Sequence, residues 1–480
     1  MTCANNKEKY CEICIYKFFL LTLQPQSMSE FKNIFFLGIG GIGMSALARY
    51  FHSRGYHVCG YDRTPSALTK ELEAEGMAVT YRDNIDDFKL MVGNLDRSLT
   101  LVVRTPAVPE NSVIYTYLRE QGFEILKRAE VLGLVTRRMR ALCVAGTHGK
   151  TTTSTMLAHL LRTSHVGTNA FLGGISMNYD TNLLIDKQSE FVVVEADEYD
   201  RSFHHLCPYM SVVTAVDADH LDIYGTAEAY REAFAYYTSL ISGALVMKHG
   251  IALEPRLQPG VKCYTYGVEC GDFYADHIEV ANGEIHFDFH TPKETVSHLL
   301  LGVPVWVNIE NAVAAMAVAW LNGVTAEELR VGLASFKGVW RRFNIHVNTP
   351  KVAYIDDYAH HPQEIATAID SIRKLYPERR LIGVFQPHLY TRTRDFAEGF
   401  RQVLSTLDEC LLLPIYPARE EPIAGVTSEI LGGRVVQKAD LIPTIKELIA
   451  NSQQPIALLT VGAGDIDRLV PEVTKALNEK

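Results

Sequence analysis

The run Ala145-Gly146-Thr147-His148-Gly149-Lys150-Thr151-Thr152-Thr153 sits between an apolar segment and an amphipathic one. Before it, Ala141-Leu142-Cys143-Val144 reads as a buried strand; after it, Met156, Leu157, Leu160 and Leu161 share one helical face. A strand, a glycine turn and a helix opening on Lys-Thr fit a sheet covered by helices, with the turn at the strand's carboxyl end. Glycines let backbone N–H groups approach phosphate oxygens with no Cβ in the way. The helix N-terminus adds partial positive charge. Lys150 adds a full charge, and Thr151 offers Mg2+ a hydroxyl. Gly146, Thr147, His148, Gly149, Lys150, Thr151 and Thr152 are therefore the expected nucleoside-triphosphate cradle. The standard phosphate-loop pattern has a glycine where Val144 stands, so a plain glycine turn with an incidental lysine is the alternative.

A second glycine loop lies near the start. The strand Asn33-Ile34-Phe35-Phe36-Leu37 runs into Gly38-Ile39-Gly40-Gly41-Ile42-Gly43. A helix follows, with Met44, Leu47, Ala48 and Phe51 on one face and Gly55 as its stop. The next strand, Tyr56 to Tyr61, ends at Asp62. Read alone, this is a dinucleotide-binding βαβ start. A further strand, Leu99 to Val103, ends at Arg104-Thr105-Pro106-Ala107.

With 480 residues the chain has room for about three domains. Residues 28–136, 137–340 and 341–480 are the expected units, and 1–27 are expected to be a disordered extension or an over-extended gene start. The predicted fold class is α/β: Rossmann-like first and third domains around a central phosphate-loop ATPase domain with a mostly parallel sheet. Strands are expected at Phe191–Glu195, Ser211–Val216, Val352–Ile355, Leu381–Phe385, Cys410–Leu413 and Ile456–Val461. A long helix is expected from about Asn308 to Leu321, stopped by Gly323.

The net charge of -10 excludes a general nucleic-acid binder. No apolar run is long enough for a transmembrane helix, and the weak signal-like stretch at 17–23 is short, carries Lys17 and has no small-residue cleavage site after it. The expected setting is the cytosol, with a monomer or homodimer and no membrane partner. Nine scattered cysteines build no disulfide framework. Cys11 and Cys14 lack a second pair, and His204, His205 and Cys207 lack a fourth ligand, so neither reads as zinc.

Chemistry-bearing residues gather at strand ends. Glu195-Ala196-Asp197-Glu198-Tyr199-Asp200 carries carboxylates that repel unless cations neutralise them, and Glu195 is the expected Mg2+ ligand. A solvated acidic loop is the alternative. Asp217-Ala218-Asp219-His220-Leu221-Asp222 follows the neighbouring strand, with His220 either an ion-pair member or a ligand. Asp356-Asp357-Tyr358-Ala359-His360-His361-Pro362 and Gln386-Pro387-His388-Leu389-Tyr390-Thr391-Arg392 close two more, where arginine forks suit carboxylates or phosphates.

In order and spacing these segments, with Arg341-Arg342-Phe343 and Gly462-Ala463-Gly464-Asp465-Ile466, resemble the Mur ligase family of peptidoglycan synthesis, from about Phe31 to the end. The resemblance implies joining of a carboxylate to an amine with ATP and Mg2+, through an acyl phosphate. The member indicated by Gly-Ile-Gly-Gly-Ile-Gly-Met-Ser acts on UDP-N-acetylmuramate and L-alanine. It implies that Gly38, Gly40, Gly41, Gly43, Met44, Ser45, Asp62 and Thr105 serve the UDP-sugar. Lys150, His220 and Arg342 would be catalytic; Thr151, Glu195 and His220 would hold metal. Asn308, Arg342 and Asp357 would join the ATP site, and Tyr358, His360, His388 and Arg392 would surround the amino acid. The chain departs from the family pattern at Val307, at Leu389 and at Arg104-Thr105. Other readings are a ligase adding a recycled tripeptide to the same sugar nucleotide, an NAD-dependent oxidoreductase, and a sensor that binds without turnover.

Overall fold

The computed structural model describes residues 31–478 except Asn94, Leu95, Asn282 and Arg419. The expected extension at 1–27, with Cys11 and Cys14, lies outside the described residues. The chain divides into two compact units between Val135 and Thr136, and builds a three-domain α/β fold on three mostly parallel sheets.

The first unit holds a five-stranded sheet of β1 (Asn33–Leu37), β2 (His57–Tyr61), β3 (Ala78–Thr80), β4 (Thr100–Arg104) and β5 (Glu124–Lys127), in the order β3-β2-β1-β4-β5. All pairs are parallel. Strand order reverses between β1 and β4, which opens a crevice at their carboxyl ends. Both strands are buried along their length, as a sheet covered on two faces requires.

The second unit carries two sheets. Its ten-stranded sheet contains β6 (Arg140–Ala145), β7 (Asn169–Ser176), β8 (Thr181–Leu184), β9 (Phe191–Ala196), β10 (Pro208–Val213), β11 (Ala244–Lys248), β12 (Lys262–Val268), β13 (Phe273–Ala281), β14 (Glu284–His290) and β15 (Thr295–Leu300). The order is β15-β14-β13-β12-β11-β10-β6-β9-β7-β8. β6 is central, and β9 and β10 flank it in register, so the ends of all three strands meet. The six-stranded sheet contains β16 (Asn344–Asn348), β17 (Val352–Asp357), β18 (Arg380–Phe385), β19 (Glu409–Leu412), β20 (Arg434–Val435) and β21 (Ile456–Val461), in the order β16-β17-β21-β18-β19-β20. Asp357, Val461 and Phe385 align across it.

The helix Lys150–Thr163 packs against the helix Val307–Leu321, whose residues from Ala312 to Ala319 are at most 1% exposed. A helix apolar on every face belongs inside a core, and its alanines let the neighbouring helix come close. Truncating Met316, fully buried there, to Ala is expected to cost about 2–5 kcal/mol. No helix among the described residues is long and apolar enough to cross a membrane.

Two differences from the sequence reading bear on the site. The strand expected at Ser211–Val216 runs from Pro208 to Val213, because Thr214 turns to donate its hydroxyl to the His148 carbonyl. The antiparallel extension β13–β15 was not anticipated. Its buried Phe273, Ala275, Ile285, Phe287 and Phe289 alternate with histidines and acids, and so present a strand pattern among loop-like residues.

Candidate functional site

The loop after β6 is held open by its glycines. Gly146 has φ +136°, and a Cβ there would collide with the Thr214 side chain and backbone. Gly149, the N-cap of the following helix, has φ +80° and faces Asn311 Oδ1, 2.8 Å from where a Cβ would stand. The Thr147 N–H donates to Ala215, and its hydroxyl donates to the Asp217 carbonyl at 2.8 Å. The N–H groups of His148, Gly149, Lys150, Thr151 and Thr152 donate to no acceptor among the described residues. Five consecutive open donors at a helix N-terminus form an anion cradle.

Lys150 bends back over this loop. Its Nζ donates to the Gly146 carbonyl at 2.7 Å and to Glu198 Oε1 at 2.8 Å. Glu198 is only 2% exposed, and its Oε2 is buried without a partner. Burial raises its pKa, and Lys150 opposes that rise. Glu195 stands at the end of β9 with a second orphaned buried oxygen, Oε2. Burial raises its pKa too, against the pull of Lys150, Thr151 and Arg342. Gly173 of β7 makes room for this carboxylate, which a Cβ at that position would strike. Two half-satisfied carboxylates beside a lysine and a threonine hydroxyl suit a hard cation with oxygen ligands. His220 lies at the neighbouring strand end with φ +52°, its ring edge-on to Tyr199 at 5.2 Å.

Asn308 and Asn311 form a buried relay behind the loop. Asn308 Nδ2 donates to the Val303 carbonyl, Asn311 Nδ2 donates to Asn308 Oδ1, and Thr153 donates to Asn311 Oδ1. Asn308 therefore braces the cradle through Asn311, and both ends of its amide are engaged by protein groups.

The edge of the six-stranded sheet contributes the cations. Arg341 and Arg342 both lie over the Tyr358 ring, at 4.8 and 5.4 Å. Arg341 donates to the Gly462 carbonyl and faces Asp467. No hydrogen bond engages the Arg342 guanidinium among the described residues, and its charge acts on Glu195, Asp357 and Glu364 alike. Asp357 accepts from the N–H groups of Phe343 and Ala359, at 2.8 and 2.7 Å, so it shapes the turn that presents Arg342. His360 meets the carbonyl of Tyr358 and the carboxylate of Glu364. His388 lies 3.4 Å from Arg392 and stacks on Tyr416. Burial and the Arg392 charge hold its pKa down to about 4, so this imidazole is neutral at pH 7. Leu389 adopts φ +71°, a strained conformation for a branched residue, just before the helix that carries Arg392. His361 feels the charges of Asp219 and His148, so this edge faces the phosphate loop.

In the first unit, Gly38 has φ +87°, and a Cβ there would meet the methyl of Thr105. Asp62 accepts from the Gly40 N–H at 2.8 Å. Met44 and Ser45 point into the core, and their N–H groups donate to Gly41. The Arg128 guanidinium lies against Gly43, close enough that a Cβ would collide with it.

Sequence reasoning passed over Gly173, Asn311 and Arg128. A glycine inside a buried strand signals a close approach, and Asn311 sits one turn after Asn308. Arg128 carried no local signal, because it meets the glycine loop only through the fold.

Comparison with known proteins matches three family descriptions in chain order. "Mur ligase family, catalytic domain" covers residues 33–140, "Mur ligase middle domain" covers 144–319, and "Mur ligase, glutamate ligase domain" covers 341–464. The UDP-N-acetylmuramate–L-alanine ligase of Phocaeicola vulgatus is 55% identical, over 94% of this chain and 100% of its own. The solved UDP-N-acetylmuramate-alanine ligase of Thermotoga maritima is 27% identical with a TM-score of 0.76, covering 93% of this chain and 99% of its own. A murein peptide ligase from Psychrobacter arcticus shares the fold at 21% identity, with a TM-score of 0.63 over 94% of this chain and 99% of its own. Three family models matched in chain order from residue 33 to 464, with whole-length similarity to a named ligase, make this protein a member of the Mur ligase family.

Proposed function

We propose that this chain joins the lactyl carboxylate of UDP-N-acetylmuramate to the amine of L-alanine at the expense of ATP, as a cytoplasmic step of peptidoglycan precursor synthesis. The observation that carries the ATP half is the row of five open N–H groups at Gly149 and its neighbours, with Lys150 beside it. The substrate half rests on whole-length similarity to a ligase named for those substrates.

The reaction must turn a poor acyl donor into a good one. A carboxylate oxygen attacks the γ-phosphorus of ATP, ADP departs, and an acyl phosphate remains. The alanine amine then attacks the acyl carbon, phosphate leaves, and the amine's proton is lost. Most of the rate comes from positioning and charge stabilisation.

Gly146, Thr147, His148, Gly149, Lys150, Thr151 and Thr152 hold the phosphates, with Lys150 released from Glu198 to reach them. Glu195 and Thr151 fit Mg2+, since Glu195 Oε2 is buried with no hydrogen-bond partner among the described residues and Thr151 stands beside that carboxylate; His220 would complete the set, and the ion would neutralise phosphate charge. Arg342 faces the transferred phosphoryl group. Tyr358, His360, His388 and Arg392 receive the amino acid, with Arg392 on its carboxylate. The first unit receives the UDP end through its glycine loop, Asp62 and Thr105, with Arg128 as the cation.

The test is ADP and phosphate release from Mg-ATP and UDP-N-acetylmuramate with L-alanine, with the tripeptide, or with no amine. Turnover that needs L-alanine is expected. Turnover with the tripeptide alone moves the chain to wall recycling, and no turnover with either overturns the ligase reading.

A further inference from the structure

Far from the phosphate loop, at the β13–β14 edge of the ten-stranded sheet, two carboxylates and two imidazoles converge. Asp276 and Asp288 lie directly opposite each other across the strands. Like charges so placed repel and call for a cation between them. His290 Nε2 lies 2.7 Å from Asp276 Oδ1. His277 Nδ1 lies 3.2 Å from the same oxygen and 3.3 Å from Asp288 Oδ2.

The backbone is bent to achieve this. Neighbours in a regular strand point to opposite faces, so Asp276 and His277 should diverge. The register instead slips between Asp276 and Glu279, and His277 takes φ +46°. This bulge re-aims His277 to the side where Asp276, Asp288 and His290 already stand.

We propose that Asp276, His277, Asp288 and His290 form a binding site for a divalent transition metal ion, zinc above all, which staples β13 to β14. Ligand atoms of Asp276, His277 and His290 all lie within 4.8 Å of one another. Tetrahedral zinc with bonds near 2.0–2.1 Å sets its ligands about 3.3 Å apart, the spacing His277 Nδ1 already keeps from both carboxylates. Imidazole nitrogen with carboxylate oxygen suits zinc better than Mg2+, which favours oxygen ligands. His290 has the outer support a metal-bound imidazole needs: its Nδ1 meets the Thr295 hydroxyl at 2.9 Å, and its ring stacks on Tyr274 at 4.4 Å. The His277 side chain is 76% exposed and leaves an entry path.

The experiment titrates zinc chloride into the full chain with Mg2+ in excess and counts bound zinc after dialysis. The unaltered protein is expected to hold one more zinc ion per chain than His290→Gln or Asp276→Asn protein. Circular dichroism and ADP release should be unchanged, because none of these residues belongs to the ligase site. Thr295→Val, which keeps every ligand, should weaken zinc binding about tenfold or more. Co2+ added to the unaltered chain should give the visible bands of a four-coordinate ion, a reading that needs no variant. Equal zinc content in all proteins, a six-coordinate Co2+ spectrum, or loss of the ion on His286→Gln instead would overturn the proposal.

Discussion

Two glycine loops follow two central strands in this chain, and they differ in what their N–H groups do. After β1, the N–H groups of Gly38, Ile39, Gly40, Gly41, Met44 and Ser45 all donate to acceptors within their own unit, one of them the Asp62 carboxylate. After β6, five consecutive N–H groups from His148 to Thr152 are open. The first loop is a tight turn whose own N–H groups are largely engaged, so it offers a ligand mainly close approach. The second presents a row of open N–H donors. Glycine spacing fixes how closely a ligand can approach, while the count of open donors decides how much anionic charge the backbone alone can hold.

The largest test of this contrast is Lys150→Ala. Loss of the one cation over the open loop should cut ADP release by about a thousandfold or more. Glu198 is then buried with no partner, so its pKa rises further and thermal stability falls. Adding Glu198→Gln should recover stability and leave the enzyme inactive; recovery of turnover would break the assignment.

Glycine substitutions come next. Gly173→Ala should displace the Glu195 carboxylate and raise the Mg2+ concentration needed for half-maximal rate, by roughly tenfold or more for one lost charge-assisted contact. Gly41→Ala should leave steady-state kinetics within about twofold, since an added Cβ meets nothing closer than 3.6 Å and φ is -67°. Equal sensitivity at both positions would erase the distinction between the loops.

Asp62→Ala frees the N–H groups of Gly40 and Thr64. The KM for UDP-N-acetylmuramate should rise about tenfold with kcat and the ATP KM unchanged. A change in the ATP KM would argue against separate sites.

The last test reads stability and not turnover, and concerns the helix behind the second loop. His159, on the helix Lys150–Thr163, is 3% exposed and meets Tyr179 and Ser335. Burial holds its pKa down to about 4, against an ordinary value near 6.5. The unfolded chain binds the extra proton between those values, so stability is full above about pH 6.5 and falls as pH drops toward about 4. The loss is on the order of 3 kcal/mol. His159→Gln should flatten that slope in urea titrations run across the window, and His204 and His388, also held down to about 4, should contribute to what remains.

Much of this was legible in the sequence because the signals are local. The strand Asn33–Leu37, the face of Met44, Leu47, Ala48 and Phe51, and the stop at Gly323 follow from periodicity and glycine placement, and all stand in the structure. Asp357 was read as a nucleotide contact from the resemblance alone; the structure adds that its oxygens accept two backbone N–H groups and shape the turn that presents Arg342. The bond from Ala359 is a local turn, whereas the bond from Phe343, 14 residues away, arises only through the fold. The spacing of Asn308 and Asn311 on one helix is local, whereas the bond from Thr153 that ties them to the phosphate loop arises only through the fold.

The sequence by itself determined the first βαβ unit, the strand, loop and helix at Lys150, the family and the strand ends at which charged and histidine residues gather, because backbone conformation and burial periodicity are written over a few neighbouring residues. Only the tertiary structure decided which donors stay open, which carboxylates are left half-satisfied, and that a bulge at His277 brings this imidazole to Asp276, Asp288 and His290. Those properties depend on which groups meet across strands and sheets. Hydrogen-bond partners and burial are set by the whole packed chain.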